Sequence, residues 1–234
     1  MNICSKKVVV DYRISDESIQ SLKSEGFDVI KSYKLDKLQE AVNGHTDLQI
    51  TKIHDKIFVC PECFDYYNEQ LDVNLIRGAS MLNYKYPFDV PYNIAHFGNF
   101  TVHNFNFTDP KIREYIIEKN LIEIYTKQGY TKCNICIIYD NAVITEDESI
   151  YNELIKYNID VLKIKKGDVR LKGFDYGFFG GATGLYKSIL YINGELKTHT
   201  DAELIQSFCK KYNVSIKELK KGDILDIGSI LFIW

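Results

Sequence analysis

Three groups of residues have the types and spacing that chemistry needs. The first is Gly44-His45-Thr46-Asp47, an imidazole two residues from a carboxylate. Histidine titrates near neutral pH and can pass protons, and a carboxylate makes paired, charge-assisted hydrogen bonds to a planar cation. The second is two Cys-x-x-Cys pairs, Cys60/Cys63 and Cys133/Cys136, among six cysteines. Converging pairs of this kind hold zinc, but these two are separated by roughly four times a zinc-ribbon spacer. Cys133 and Cys136 also lie in a strand-like run, Cys-Asn-Ile-Cys-Ile-Ile-Tyr, where positions three apart face opposite ways. The pairs therefore read as buried, reduced thiols, with structural zinc and redox chemistry as the alternatives. No metal ligands and no cofactor are assigned. The third group is Asp or Asn directly before an apolar run: Asp47-Leu48, Asn93-Ile94, Asn134-Ile135 and Asp226-Ile227, with Gly180-Gly181-Ala182-Thr183 at a fifth such place.

The elements that must position these residues repeat along the chain. Asp16-Glu17-Ser18-Ile19 recurs as Asp147-Glu148-Ser149-Ile150, and Lys165-Lys166-Gly167-Asp168 recurs as Lys220-Lys221-Gly222-Asp223. Further copies begin at Thr108-Asp109-Pro110, at Asp201 and, most weakly, at Cys63. Each opens a helix: an Asp, Thr or Ser accepts from free first-turn N–H groups, a first-turn proline loses no helical bond, and apolar residues then recur at three and four. A β-rich run precedes every helix, and four of these runs follow another strand and a tight turn. The hairpins pair 48–53 with 56–59, 92–97 with 100–102, 134–139 with 142–145 and 181–185 with 188–192. Their turns, at His54-Asp55, Gly98-Asn99, Asp140-Asn141 and Tyr186-Lys187, mostly tolerate hairpin geometry. The fifth hairpin is missing at the N-terminus, while the chain ends in an apolar run from Ile224 to Ile233. The expectation is one α/β domain, residues 1–234: a five-bladed α/β propeller of hairpin–helix–strand units whose N- and C-terminal strands close the ring. An open doubly wound sheet is the alternative, but Asp11-Tyr12-Arg13 stands where its glycine-rich fingerprint would follow the first strand. In a ring, Asp47, Asn93, Asn134 and Asp226 would converge on one polar well; the plainer reading is that each satisfies turn backbone.

This arrangement resembles the pentein fold of arginine and agmatine deiminases, dimethylarginine hydrolases and amidinotransferases, and also an uncharacterised bacterial branch of that fold. Gly44-His45-Thr46-Asp47 is similar to their Gly-His-x-Asp segment, which implies His45 as general acid/base and Asp47 as guanidinium ligand. Gly180-Gly181-Ala182-Thr183-Gly184-Leu185 resembles the run that carries the cysteine nucleophile in dimethylarginine hydrolases, with Gly184 in the cysteine's place. Without that thiolate the usual covalent route is absent; Cys136, two residues past Asn134, is a candidate substitute. The ligand set is completed by Asn93, Asn134, Gly181, Thr183, Gly184, Asp226 and Arg13, which could read a substrate carboxylate or pair with Asp11 on the surface.

Other residues have plainer roles. His96 and His103 alternate with apolar residues and read as structural unless one faces the axis, and Asp201 of His199-Thr200-Asp201 reads as a helix cap. Loop aromatics Tyr84, Tyr86, Phe88, Phe174 and Tyr176 suit a lid, a binding surface or packing. Apolar content of 45%, charged content of 26% and a net charge of −3 describe an ordinary globular chain and argue against nucleic acid as the main partner. No apolar run approaches the roughly 20 residues of a bilayer span, and no signal-peptide core precedes the first strand, so a cytoplasmic location is expected. The oligomeric state is open. The functional expectation is a polar axial pocket for a small guanidino or cationic ligand, without the standard cysteine-dependent deiminase chemistry. Any activity would be hydrolysis of amidine or guanidine C–N bonds. The alternative is a non-catalytic interaction protein, like the ribosome anti-association factor of the same fold.

Overall fold

The computed structural model describes residues 6–233; Cys4 lies outside them. The first strand, β1 (Lys6–Val10), leads through helix α1 (Asp16–Ser24) to a parallel neighbour, β2 (Phe27–Lys31). The second unit starts with one helical turn, α2 (Thr46–Gln49). It continues as hairpin β3 (Ile50–Ile53) and β4 (Lys56–Val59), helix α3 (Phe64–Gln70) and parallel strand β5 (Leu75–Arg77). The third has β6 (Ala95–Phe97), β7 (Phe100–His103), α4 (Pro110–Glu118) and β8 (Ile122–Tyr125). The fourth opens with a second helical turn, α5 (Thr131–Asn134), before β9 (Ile135–Tyr139), β10 (Ala142–Thr145), α6 (Glu148–Leu154) and β11 (Asp160–Lys163). The fifth has a 3-10 turn at Gly180–Ala182, then β12 (Thr183–Tyr186), β13 (Ile189–Ile192), α7 (Ala202–Lys211) and β14 (Ser215–Glu218). The last strand, β15 (Leu231–Ile233), pairs antiparallel with β1.

Among the described residues five three-stranded sheets result, each with an antiparallel pair and a parallel third strand returned by a helix. The sheet β15-β1-β2 takes its hairpin from both ends of the chain, so the apolar C-terminal run supplies the strand that the N-terminal unit lacks. Neighbouring first strands touch: β6 with β9, β9 with β12 and β12 with β15. No helix among the described residues is long and apolar enough to cross a membrane.

The local reasons are largely those of the repeat. Asp109 and Asp147 cap α4 and α6 by accepting from the N–H groups of Lys111 and Ile150, at 3.0 and 2.9 Å. Ser15, one residue ahead of the repeated Asp16, caps α1 by accepting from Ser18 N–H. Asp201 stands at the start of α7, but its carboxylate accepts from Lys165 N–H at 2.6 Å instead of from the helix. Four helix exits turn on a left-handed residue, Gly26, Asn120, Asn158 and Asn213, the conformation that glycine and asparagine tolerate best.

Two differences from the sequence expectation matter for the site. The chain before the first hairpin strands winds into a helical turn in three units, so those strands start at Ile50, Ile135 and Thr183. The fourth hairpin turns at Lys187-Ser188, with Lys187 at φ 54°, one residue later than the pattern suggests.

Candidate functional site

The turn that carries His45 is built around close approaches of backbone. A Cβ on Gly44 would meet the Tyr12 ring at 2.5 Å and Asp11 Oδ1 at 2.8 Å. Arg13 holds the buried Asp11 with both arms of its guanidinium, at 2.8 and 2.6 Å, and donates to the Glu40 carbonyl. Arg13 thus braces the loop ahead of Gly44. From His45 the chain turns into α2, and this turn grips the segment before β15. Asp47 N–H and Thr46 Oγ1 both donate to the Gly228 carbonyl, at 3.0 and 2.6 Å.

That grip gathers a buried polar cluster. Asp47 Oδ2 accepts from Ser229 Oγ at 2.7 Å and from the Cys133 thiol at 3.2 Å. Asn93 Nδ2 donates to Cys133 Sγ at 3.1 Å and to the Asp47 carbonyl at 3.2 Å, while its Oδ1 accepts from Lys132 and Cys133 N–H groups. His45 Nδ1 lies 4.0 Å from Asp226 Oδ1. Asp226 accepts from the N–H groups of Phe178 and Gly228, at 2.8 and 2.9 Å. Lys132 Nζ reaches Ser229 Oγ at 3.0 Å. Every one of His45, Asp47, Asn93, Cys133 and Asp226 is buried, yet His45 Nε2 and Asp47 Oδ1 find no hydrogen-bond partner among the described residues. Burying a polar atom unpaired costs about 1–3 kcal/mol, so the cluster holds two costly atoms. Burial pushes the Asp226 carboxyl up, opposed by His45 and reinforced by Asp47. It pushes the Cys133 thiol well up too, with the charges of Asp47 and Asp226 adding to it.

The cluster adjoins a groove of about 640 Å³, lined by Asp47, Lys132 and Ser229. Thr51, His96, Ile137, Leu185 and Leu231, one from each first hairpin strand, also line it.

Of the expected site residues, the structure brings together His45, Asp47, Asn93 and Asp226. Asn134 is elsewhere: its Nδ2 donates to the Tyr130 carbonyl, and it lines a second cleft with Glu146. The reason is α5. On a helical turn successive side chains diverge by about 100°, so Cys133 takes the inward place and Asn134 is swung out. A thiol therefore does reach the cluster, from Cys133 and not from Cys136, which packs in an apolar cluster with Ile138 and Ile144. Gly184 has no room for a side chain, since a Cβ there would lie 2.1 Å from the Ile230 carbonyl oxygen. Gly181 clears space for Asp226, whose Oδ1 would stand 2.2 Å from its Cβ. Thr183 lines the groove and donates to the Gly180 carbonyl at 3.2 Å.

The two Cys-x-x-Cys pairs do not converge. Cys60 and Cys63 share one apolar cluster, Cys136 lies in another, and Cys133 is in the polar site. His103 is structural, bound between Thr108 Oγ1 and the Gly129 carbonyl, and burial pushes it down to about 4. His96 lines the groove with its ring edge-on to His54, and burial likewise pushes it down to about 4. Cys133, Ser229 and Lys132 were not singled out as site residues in the sequence. The signals for Cys133 were its Cys-x-x-Cys spacing to Cys136, read as a buried thiol pair, and its place before the same apolar run that drew attention to Asn134.

A family model described as a family of unknown function, DUF6873, matches residues 9–231. The chain belongs to DUF6873. No curated protein matches it in sequence. Among solved structures, the DUF6873 chain is similar to a cysteine-to-serine mutant of DDAH from Pseudomonas aeruginosa complexed with citrulline, at 6% identity and a TM-score of 0.59, covering 92% of both chains. It is also similar to the agmatine deiminase of C. jejuni, at 11% identity and a TM-score of 0.56, covering 92% of this chain and 88% of that one. An amidinotransferase from Microseira wollei, SxtG, matches at 10% identity and a TM-score of 0.55, covering 96% of this chain and 94% of that one. At these identities the likeness is one of fold: this DUF6873 member has the mixed α/β pentein fold.

Glu146, in the second cleft, gives the DUF6873 chain a pH-dependent element beside the polar cluster. Its Oε1 accepts from Phe179 N–H at 3.0 Å and its Oε2 has no partner among the described residues. Burial pushes its carboxyl up to about 8, opposed by the Phe179 N–H and reinforced by Asp226. An unfolded glutamate ionises near about 4.3. The folded chain therefore holds an extra proton between these values, and stability falls as pH rises through 8. Glu146→Gln should match the wild type at pH 4 and exceed its unfolding free energy by about 1–3 kcal/mol at pH 9. Urea unfolding at the two pH values checks this; a difference that does not change with pH would contradict it.

Proposed function

We propose that this protein binds a small guanidino or otherwise cationic ligand in a polar well, with the five units and the whole chain, residues 1–234, forming one closed ring about it. The observation that carries the reading is the pair of buried carboxylates, Asp47 and Asp226, near His45 beside a groove, with Asp47 Oδ1 and His45 Nε2 left unpartnered among the described residues. A planar cation would offset one carboxylate charge and supply a hydrogen-bond donor to Asp47 Oδ1. The structural relatives support a ligand of related chemistry, since one is complexed with citrulline, whose ureido group is the neutral analogue of a guanidino group, and others are an agmatine deiminase and an amidinotransferase. His45 is placed for proton transfer and Asp47 for holding the cation, with Asn93, Asp226 and the space left by Gly181 shaping the well.

The standard nucleophile position, Gly184, carries no thiol. Cys133 offers one from another unit, but it donates to Asp47, so the resting site is a binding site before it is a covalent one. If the protein is an enzyme, this reading makes it a hydrolase of amidine or guanidine C–N bonds.

The test is a thermal-shift series with arginine, agmatine and methylarginines on the wild type, His45→Ala and Asp47→Asn. A ligand at a hundred times its dissociation constant stabilises by about 2.7 kcal/mol. A shift in the wild type that is lost in both variants is expected. No shift with any guanidine would favour the second reading, an interaction protein. That reading draws on Met81, Tyr84, Tyr86 and Phe88, all of them exposed large side chains within one loop.

A further inference from the structure

The polar cluster has a property that a guanidinium pocket does not require. One donor atom from each of His45, Asp47 and Cys133 lies within 4.8 Å of the other two, and all three residues are buried. We infer that these three side chains form a binding site for a divalent transition metal of borderline softness, of which zinc is the type. The inference does not depend on the guanidine reading.

The donor set is the first argument. A thiolate, an imidazole and a carboxylate together suit zinc and exclude the hard cations, which take oxygen ligands. Donor atoms on a tetrahedral zinc, bound at about 2.0–2.3 Å, stand about 3.3–3.8 Å apart. The cluster would have to tighten by about 1 Å.

The second argument is how each side chain is held. Metal ligands are usually oriented by a further hydrogen bond on their other atom. Here all three are. His45 turns Nδ1 toward Asp226 at 4.0 Å and leaves Nε2 unpartnered. Asp47 has Oδ2 anchored by Ser229 at 2.7 Å and leaves Oδ1 unpartnered. Cys133 Sγ receives the amide of Asn93 at 3.1 Å. Two of these residues thus keep a buried, unpartnered polar atom beside the Cys133 sulfur. Three protein ligands leave a fourth tetrahedral position, and Asp47 also lines the groove through which water or a small molecule would reach it.

Binding is a simple exchange. The S–H bond of Cys133 gives its proton to solvent, its electron pair forms the sulfur–metal bond, and no oxidation occurs. One proton is released per metal bound.

The test uses the full chain, treated with chelator, dialysed against zinc or cobalt(II) alone and freed of excess. The expected result is one metal per chain and, with cobalt, a thiolate-to-cobalt charge-transfer absorption. Cys133→Ser should abolish that absorption, and His45→Ala and Asp47→Asn should each weaken binding at least tenfold. Asp226→Asn should keep the stoichiometry and weaken binding about 10–100-fold, as loss of an orienting carboxylate does. Circular dichroism of each variant shows whether it is folded, and Cys133→Ser changes only one atom. Binding that survives in Cys133→Ser, or that disappears in Cys60→Ser, would overturn the assignment by placing the metal on other thiols. Sub-stoichiometric, rapidly lost metal in the wild type would overturn it as well. A guanidine shift without metal binding would leave the proposed function standing and this inference refuted.

Discussion

Phe232→Ala is expected to remove about 3–5 kcal/mol of unfolding free energy, the range for deleting a fully packed aromatic side chain. Phe232 is buried, and its ring meets those of Phe27, Tyr191 and Tyr186 at 4.9, 5.0 and 5.3 Å. Phe27 itself stands edge-on to both tyrosines. These four rings come from β15, β2, β12 and β13, so they weld the sheet made from both chain ends to the sheet of the fifth unit. A three-residue strand such as β15 has little ladder of its own to hold it; packing has to do so. Urea unfolding reads the result. A loss below about 1 kcal/mol would show that β15 frays independently and that the ring cluster does not couple it to the global transition. Phe232→Leu, which keeps most of the volume, should cost much less.

Gly228→Ala is expected to cost about 3 kcal/mol and to abolish ligand or metal binding. Gly228 has φ 63°, and a Cβ there would lie 2.2 Å from His45 Cβ and 2.4 Å from its Cα. The left-handed conformation contributes about 1 kcal/mol of this and overpacking about 1–3 kcal/mol. The segment cannot slide away, because its carbonyl accepts from both Asp47 N–H and Thr46 Oγ1. Gly222→Ala is the control: its φ is 81°, but nothing lies within 4 Å of the added carbon. It should show the conformational cost of about 1 kcal/mol alone. Equal losses at the two glycines would mean that Gly228 is required only for its backbone angle and that His45 does not depend on the close approach.

Much of the architecture was legible because it is local and repeated. Hairpin turns such as Gly98-Asn99, helix starts such as Asp109-Pro110 and Asp147, and the two Lys-Lys-Gly-Asp turns all depend on residues close in sequence. The pairing of the C-terminal run with β1 was also legible, by subtraction: one unit lacked a strand and one apolar run lacked a unit. His45, Asp47 and Asp226 could be nominated from residue type and position, and they do lie together.

What the sequence determined by itself, then, is the unit: turn chemistry, caps and apolar periodicity act over a few residues and need no partner from afar. Which side chain of each unit faces the well was decided only by tertiary structure. A strand reading of Cys133-Asn134 points the asparagine inward, whereas the helical turn of α5 points the cysteine there. That the Ile230 backbone leaves no room for a side chain at Gly184 is likewise invisible in the sequence. Cys133 meets Asp47 across 86 residues, and Ser229 meets it across 182. Such contacts depend on how five sheets are set against one another, and a rotation of one residue by about 100° on a helical turn is enough to exchange the side chain that reaches the cluster for its neighbour.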